Sequence, residues 1–316
     1  MGDGILRAGG YRIVLADAFN FAKESYEALS AMAEVVWCDS RPGLLKAVGD
    51  ADIVVTEYAR VDEALMTAAP RLRGIVVYGV GTDHIDLEAA AARGISVRNT
   101  SGANANAVAE LTFGLLLSCL RGIHKADRYI RSGEWTNRQS GSLPELFHGA
   151  ELYGRTLGII GYGNIGRRVA EIARGLGMTP LYWQPRPVPG APIPHRELDD
   201  LIREVDVLSV HCPLNEESRG LLSRRRLRSM KRGAVLLATS RGGIVDEEAL
   251  AELLESGRLA AAGLDVFAEE PLSLDSPLMK APNLILTPHL AGSTAEAEAE
   301  IARTIVKVCG EILGKR

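Results

Sequence analysis

Several residues stand at spacings that suit them to chemistry, and a glycine-rich run is the first of them. Gly161-Tyr162-Gly163-Asn164-Ile165-Gly166 is a GxGxxG pattern set directly between the apolar run Leu157–Ile160 and a helical segment starting at Asn164. With 33 glycines in 316 residues, chance supplies the pattern in roughly 0.3 places per chain of this length, so it is weak without its flanks. In this context Gly161 permits a tight turn, Gly163 lets the backbone approach a pyrophosphate, and Gly166 lets the helix pack on the strand. The N–H groups at the helix start then face the phosphates. The alternative is a tight turn with a structural role only. A dinucleotide site of this kind usually ends its next strand in Asp or Glu, which holds the ribose hydroxyls. Here the strand Pro180–Trp183 runs into Gln184-Pro185-Arg186-Pro187. An amide followed by a guanidinium accepts a 2′-phosphate that a carboxylate would repel, which favours NADP over NAD. Arg186 as a solvated loop charge, with Gln184 still bonding the ribose, is the other reading.

Three more residues have acid–base or anion-binding character. His289, in Thr287-Pro288-His289-Leu290-Ala291-Gly292, follows an apolar strand, and loops after strands of an open sheet form its cleft. Imidazole is the natural proton donor near neutral pH. Glu270, before Pro271, would pair with it, since a neighbouring carboxylate favours the imidazolium and orients its proton. Arg241 follows the strand Ala234–Thr239 and offers a planar fork for a carboxylate and a carbonyl oxygen. Taken singly, each has a plainer role: a structural His beside Pro, a surface carboxylate, a helix-capping Arg.

These residues need a scaffold, and the chain supplies alternating strands and helices on both sides of its middle. Tyr11–Ala16, Val35–Trp37, Asp52–Thr56, Ile75–Tyr78 and Ile95–Val97 read as short apolar strands separated by helical stretches. Asp86 reads as the N-cap of a helix Leu87–Arg93 closed by Gly94. From Arg155 the alternation restarts and gives five or six more strands. Apolar strands alternating with crossover helices mean parallel sheets covered on both faces, in an α/β fold of two doubly wound domains. Between the halves, Ala105–Arg131 reads as one long apolar helix, buried on more than one side, either central to the molecule or at a dimer interface. Gly133–Gly149 reads as a loop, and Ala295–Leu313 as a final helix that returns to the N-terminal domain. The basic run Arg224–Arg228 reads as a solvated helix face.

Composition narrows the function classes. The chain carries 36 Lys+Arg against 40 Asp+Glu, a formal net charge of −4, which is not the basic excess of a nucleic-acid protein. No apolar run approaches the ~18 residues of a membrane span. The N-terminus lacks a signal core, and Leu6 stands where a myristoylation signal wants Ser or Thr. Cys38, Cys119, Cys212 and Cys309 are scattered without a CxxC pair, so neither a disulfide frame nor a zinc site is expected, and the thiols suit a cytoplasmic protein.

Taken in order, the segments Leu157–Gly166, Ser209–Ser218, Met230–Leu250, Ala260–Pro271 and Asn283–Thr294 strongly resemble the D-isomer-specific 2-hydroxyacid dehydrogenase family. The match runs from about Ile75 to Thr294 and is looser before that. The resemblance implies a cofactor domain inserted into a substrate domain: residues 1–103 plus 287–316 form the substrate domain, and 104–286 form the NAD(P)-binding Rossmann domain. It implies hydride transfer between NAD(P)H and a small 2-keto acid, giving a D-2-hydroxy acid, with Arg241, Glu270 and His289 as the catalytic set. Gly161, Gly163, Asn164, Ile165 and Gly166 would hold the cofactor's phosphates, with Gln184 and Arg186 near its ribose. His211, Pro213, Thr239, Ser240 and Gly292 match positions lining the cofactor, and Asp265 one that contacts the nicotinamide side. The loop Tyr78–Asp83 resembles the family's carboxylate-binding loop, where the N–H groups of Val80 and Gly81 bind the substrate with Arg241. A homodimer is the expected assembly.

The chain also departs from the family's pattern. Phosphoglycerate dehydrogenases, one branch, carry an Arg after the third strand, where this chain has Thr56 and Glu57, although Arg60 is close enough to substitute. The Gln184–Pro187 segment is similar to that of the NADPH-using glyoxylate/hydroxypyruvate reductases. Ala238 replaces the usual Asn, and Asn137–Leu146 looks several residues longer than usual. Formate dehydrogenases, also relatives, normally have Gln at the position of Glu270. Three readings follow: a glyoxylate/hydroxypyruvate reductase-like enzyme, a D-3-phosphoglycerate dehydrogenase, or a non-catalytic nicotinamide-binding scaffold.

Overall fold

Apolar runs too short for helices and too continuous for half-buried strands become the two parallel sheets of the chain. The computed structural model describes residues 10–17, 21–136 and 147–314; the expected insertion Asn137–Leu146 and the segment around Leu6 lie outside them. The chain divides into two compact units, Met1–Asn104 with Gly292–Arg316, and Ala105–Ala291.

In the first unit the strands are β1 (Arg12–Leu15), β2 (Glu34–Trp37), β3 (Ile53–Thr56), β4 (Gly74–Val77) and β5 (Ser96–Asn99), and the helices are α1 (Lys23–Met32), α2 (Arg41–Ala47), α3 (Glu63–Ala68) and α4 (Leu87–Ala92). The sheet order is β2-β1-β3-β4-β5, every pairing is parallel, and apolar clusters cover both faces. The strand order reverses between β1 and β3, which makes their carboxyl ends the switch point. Asp62 and Asp86 cap α3 and α4, accepting from Leu65 N–H and Ala89 N–H. The last helix of the chain, Ala295–Ile312, packs on α1 and β4.

The second unit begins with α5 (Ala105–Arg121) and α6 (Ile123–Arg131). It continues with β6 (Thr156–Ile160), α7 (Asn164–Gly175), β7 (Thr179–Trp183), α8 (Leu198–Glu204), β8 (Val207–Val210), α9 (Arg224–Ser229), β9 (Val235–Ala238), α10 (Glu247–Glu255), β10 (Ala261–Leu264) and β11 (Leu284–Leu286); the helix closing the chain is α11. The sheet order is β11-β10-β9-β8-β6-β7, again parallel. Its switch point lies between β6 and β8.

Two expectations are corrected. The segment Ala105–Arg131 is two helices bent by 62° at Gly122, whose φ of +59° is left-handed backbone that glycine adopts without a Cβ clash. The apolar residues Phe113, Leu115 and Leu116 of α5 are buried where that helix packs on β9, β10 and α7. Among the described residues no single helix is long and apolar enough to cross a membrane. The basic run on α9 is not simply solvated: Arg224 pairs with Glu252 of α10, and Arg225 and Arg226 pair with Asp199 of α8. Within the second unit, Thr287, Leu290 and Ala291 are hydrogen-bonded to Asp265 after β10.

Candidate active site

Asp265, the first residue after β10, is fully buried, and a buried carboxylate is tolerable only when donors surround it. It has them. Its Oδ1 accepts from the Thr287 hydroxyl at 2.6 Å and from Leu290 N–H at 3.0 Å, and its Oδ2 accepts from Ala291 N–H at 2.8 Å. Both carboxylate oxygens are thus engaged by the loop that carries His289. His289 itself has φ +52°, a left-handed conformation that costs a β-carbon residue about 1 kcal/mol. Its N–H bonds Asp265 O at 2.9 Å and Thr287 O at 3.0 Å. The surrounding hydrogen bonds therefore hold a strained residue in one orientation.

That orientation places His289 Nδ1 at 2.7 Å from Glu270 Oε2. An ionised carboxylate can only accept, so the Nδ1 proton lies in this bond and Nε2 is the ring atom that faces away from Glu270. The two side chains are about a third exposed, 31% and 35%, so the pair is open to a ligand. Glu270 Oε1 accepts from Phe267 N–H at 3.0 Å, which folds the Phe267–Glu270 turn onto its own carboxylate.

Arg241 enters the same neighbourhood through the residue that follows it. A Cβ on Gly242 would stand 1.7 Å from Phe267 O and 2.5 Å from Ala268 N, so the Arg241–Gly242 backbone lies directly against the peptide that begins the Glu270 turn. Only a glycine fits there. Arg241 Nη1 donates to Ser240 O at 2.8 Å, and its side chain is part-buried. Ala238, at the end of β9, is buried, so the Asn-to-Ala departure leaves an apolar strand end below this loop. Arg241, Glu270 and His289 thus come from three loops at the carboxyl edge of one sheet, after β9, β10 and β11.

The glycine loop lies at the switch point of that sheet. Gly161 has φ +94°, and a Cβ there would stand 2.6 Å from Cys212 N; one on Gly166 would meet Gly161 O at 2.1 Å. A Cβ on Gly163 would meet nothing within 4 Å. Two glycines therefore close the turn, while the third leaves open space before the start of α7, which is the shape a pyrophosphate cradle needs. The residues present fit a dinucleotide. Gln184, just past β7, accepts from Tyr162 N–H through Oε1 at 3.2 Å and donates to Arg186 O through Nε2 at 2.7 Å. Its amide links the glycine loop to the turn that presents the exposed Arg186.

A chain of polar side chains runs below the site. His211 Nε2 and Ser209 Oγ are 2.7 Å apart, His211 Nδ1 and Thr239 Oγ1 3.5 Å, and Thr239 Oγ1 and Thr112 Oγ1 3.2 Å. Burial pushes the His211 pKa down to about 3, so this ring is neutral and is no rival to His289 as a proton donor. Pro213 and Ser240 flank this chain at the ends of β8 and β9. Gly292 falls in the first unit, where a Cβ would stand 2.9 Å from Asn104 Nδ2.

In the first unit, the Val80–Gly81 loop follows β4. Thr100 Oγ1 accepts from Gly79 N–H at 3.0 Å, and Asn99 Nδ2 donates to Val80 O at 2.7 Å. Next to it, Asp17 Oδ2 lies 2.7 to 3.2 Å from the N–H groups of Glu57, Tyr58 and Ala59 and 3.0 Å from Thr56 Oγ1. A carboxylate of the chain itself thus fills a nest of backbone donors at the switch point. No spacing in the sequence marks Asp17, because its partners are about 40 residues away.

Residues 113–291 match the model of the D-isomer specific 2-hydroxyacid dehydrogenase NAD-binding domain. The chain is 42% identical over 291 residues to a glyoxylate reductase of Aeropyrum pernix, covering 88% of this chain and 86% of that one. It is 38% identical over 275 residues to a hydroxypyruvate reductase of Thermotoga maritima, covering 86% and 88%. Among solved structures, the NADPH-dependent glyoxylate/hydroxypyruvate reductase of Sinorhizobium meliloti, in complex with NADP and malonate, superposes with a TM-score of 0.82 at 29% identity, over 94% of this chain and 92% of that one. A dinucleotide cradle at one switch point, a His–Glu pair beside an arginine loop on the same sheet edge, and these relatives together place the chain in the D-isomer specific 2-hydroxyacid dehydrogenase family.

Proposed function

We propose that the protein reduces a small 2-keto acid such as glyoxylate or hydroxypyruvate to its D-2-hydroxy acid. The observation that carries this reading is the 2.7 Å His289–Glu270 pair set against the Arg241–Gly242 backbone. When bound, a reduced nicotinamide dinucleotide supplies a hydride to C2 of the keto acid. Arg241 holds the carboxylate and the keto oxygen through its two-pronged guanidinium. His289 Nε2 delivers the proton that the oxygen on C2 takes up, while Glu270 fixes the ring through Nδ1. Asp265 positions the His289 loop by its hydrogen bonds to Thr287, Leu290 and Ala291. The Val80 and Gly81 N–H groups form a carboxylate cradle at the carboxyl end of β4 in the first unit. Steady-state assays over a panel of 2-keto acids test the reading. Turnover of glyoxylate or hydroxypyruvate supports it, whereas preference for a phosphorylated keto acid points to a phosphoglycerate dehydrogenase. Arg60, the candidate ligand for such a phosphate, stands 3.9 Å from Asp62, and no observation favours that alternative.

NADPH is the proposed reductant. Gln184 is uncharged and donates to the backbone carbonyl of the exposed Arg186, and the S. meliloti relative is an NADPH-dependent enzyme. Replacing Arg186 with Ala removes one charge-assisted contact to a 2′-phosphate, worth about 1.5 kcal/mol or roughly tenfold. The ratio of kcat/KM for NADPH over NADH should fall by about that factor, and an unchanged ratio would exclude Arg186 as the selector.

The proposed assembly is a homodimer formed through the α5–α6 region. Helix α6 buries no residue, and Ile123, Ile130 and Trp135 are all more than half exposed, an apolar surface of the kind that marks an interaction site. Light scattering on the purified protein should give twice the 33.9 kDa chain mass. A monomer at micromolar concentration would contradict this assembly.

A further inference from the structure

The two halves of the proposed catalytic set meet at one peptide, and a carboxylate outside that set holds it. Glu247 opens α10 next to the N-cap Asp246, whose side chain accepts from Ala249 N–H. Its own Oε1 leaves the helix and accepts from Ala268 N–H at 2.6 Å. The carbonyl of that same peptide, Phe267 O, is the group against which Gly242 is pressed. The N–H of the preceding peptide, at Phe267, is taken by Glu270 Oε1. The Phe267–Ala268 segment is thus held on three sides, by Glu247, by the Arg241–Gly242 backbone, and by Glu270. Its neighbour in sequence, Glu248, is exposed and starts no such path.

We infer that Glu247 is a positioning residue for the reaction: it clamps the Phe267–Ala268 peptide and so fixes the spacing between Arg241 and the Glu270–His289 pair. Helix geometry favours the arrangement, since a carboxylate in the first turn is stabilised by the free N–H groups of the helix end. Glu247 is half-buried, and burial raises its pKa, against the lowering effect of the Ala268 N–H and with a smaller raising contribution from the Glu270 charge. A surface charge serving solubility would be left in water. Here the carboxylate is drawn in and spent on one backbone donor. The consequence is kinetic. Catalytic groups misplaced by about 1 Å lose up to 10²-fold in rate, and a turn released from its clamp moves Glu270 and the ring it orients.

The test compares Glu247→Ala, Glu247→Gln and Glu248→Ala with the unaltered enzyme, using whichever 2-keto acid the enzyme turns over best. Glutamine keeps an oxygen that can accept from Ala268 N–H, so Glu247→Gln should stay within about threefold. Glu247→Ala should lose at least about tenfold in kcat, with the KM for the dinucleotide unchanged and a larger solvent deuterium isotope effect, because proton delivery becomes slower. Glu248→Ala should match the unaltered enzyme. Mere destabilisation would lower the active fraction and leave the isotope effect where it was. Should the Ala variant not fold, Glu247→Asp, which keeps the charge but is one methylene short of the peptide, takes its place with the same expected loss. Full kcat in the Ala or Asp variant, an unchanged isotope effect, or equal losses in Gln and Ala would each overturn the inference. The inference rests on the proposed reductase reading, yet the two fail differently: an unaltered enzyme inactive on every 2-keto acid defeats the reading, and an active Glu247→Ala defeats only the clamp.

Discussion

His289→Ala should lower kcat for 2-keto acid reduction at least ~100-fold while leaving dinucleotide binding intact. General acid catalysis by a positioned side chain contributes about 10² to 10⁴, and this ring is positioned with unusual care. Its backbone is held left-handed at φ +52°, its N–H is shared by two carbonyls, and its Nδ1 is held by Glu270. The other candidate imidazole at this sheet edge, His211, is neutral because burial lowers its pKa to about 3, so it cannot substitute. Alanine also adopts a left-handed backbone at a cost of about 1 kcal/mol, so a melting curve should accompany the assay. Near-normal turnover would remove His289 from the mechanism.

Arg241→Gln should act on substrate binding as well as on rate. Two charge-assisted hydrogen bonds to a carboxylate are worth about 3 kcal/mol or more, so kcat/KM should fall at least about 100-fold. Arg241→Lys should recover only part of it, because an ammonium is a point charge and cannot match the planar fork. The dinucleotide's dissociation constant, measured by fluorescence, should not move. A loss confined to dinucleotide affinity would show that Arg241 serves the cofactor instead of the keto acid.

The parts legible in the sequence are those whose cause is local. The GxGxxG turn lies between its own strand and helix, so three glycines and their flanks identify it. Asp86 caps a helix by accepting from an N–H only three residues away. Arg241 and His289 could be singled out because each follows a strand, where parallel sheets collect their loops. Long-range contacts left no such trace. Glu247 acts on a peptide 21 residues away, and Asp17 on a loop about 40 away; both look like ordinary surface acids in the sequence. Gly242 is one of a pair of glycines after an arginine, and only the closeness of Phe267 O explains why a side chain is excluded. The break at Gly122 was hidden because the apolar pattern carries on across it and a lone glycine is tolerated inside helical sequence. The burial of Asp265 leaves no local mark either, because its three donors stand 22 to 26 residues on.

The most direct test of the central claim is the oxidation of NADPH and NADH by the purified protein with glyoxylate and with hydroxypyruvate, run beside Arg241→Gln. At least one of these keto acids should be turned over steadily, faster with NADPH, and the variant should lose nearly all of this activity. Tight binding of the dinucleotide with no oxidation by any 2-keto acid would contradict the claim and leave a non-catalytic nicotinamide-binding protein.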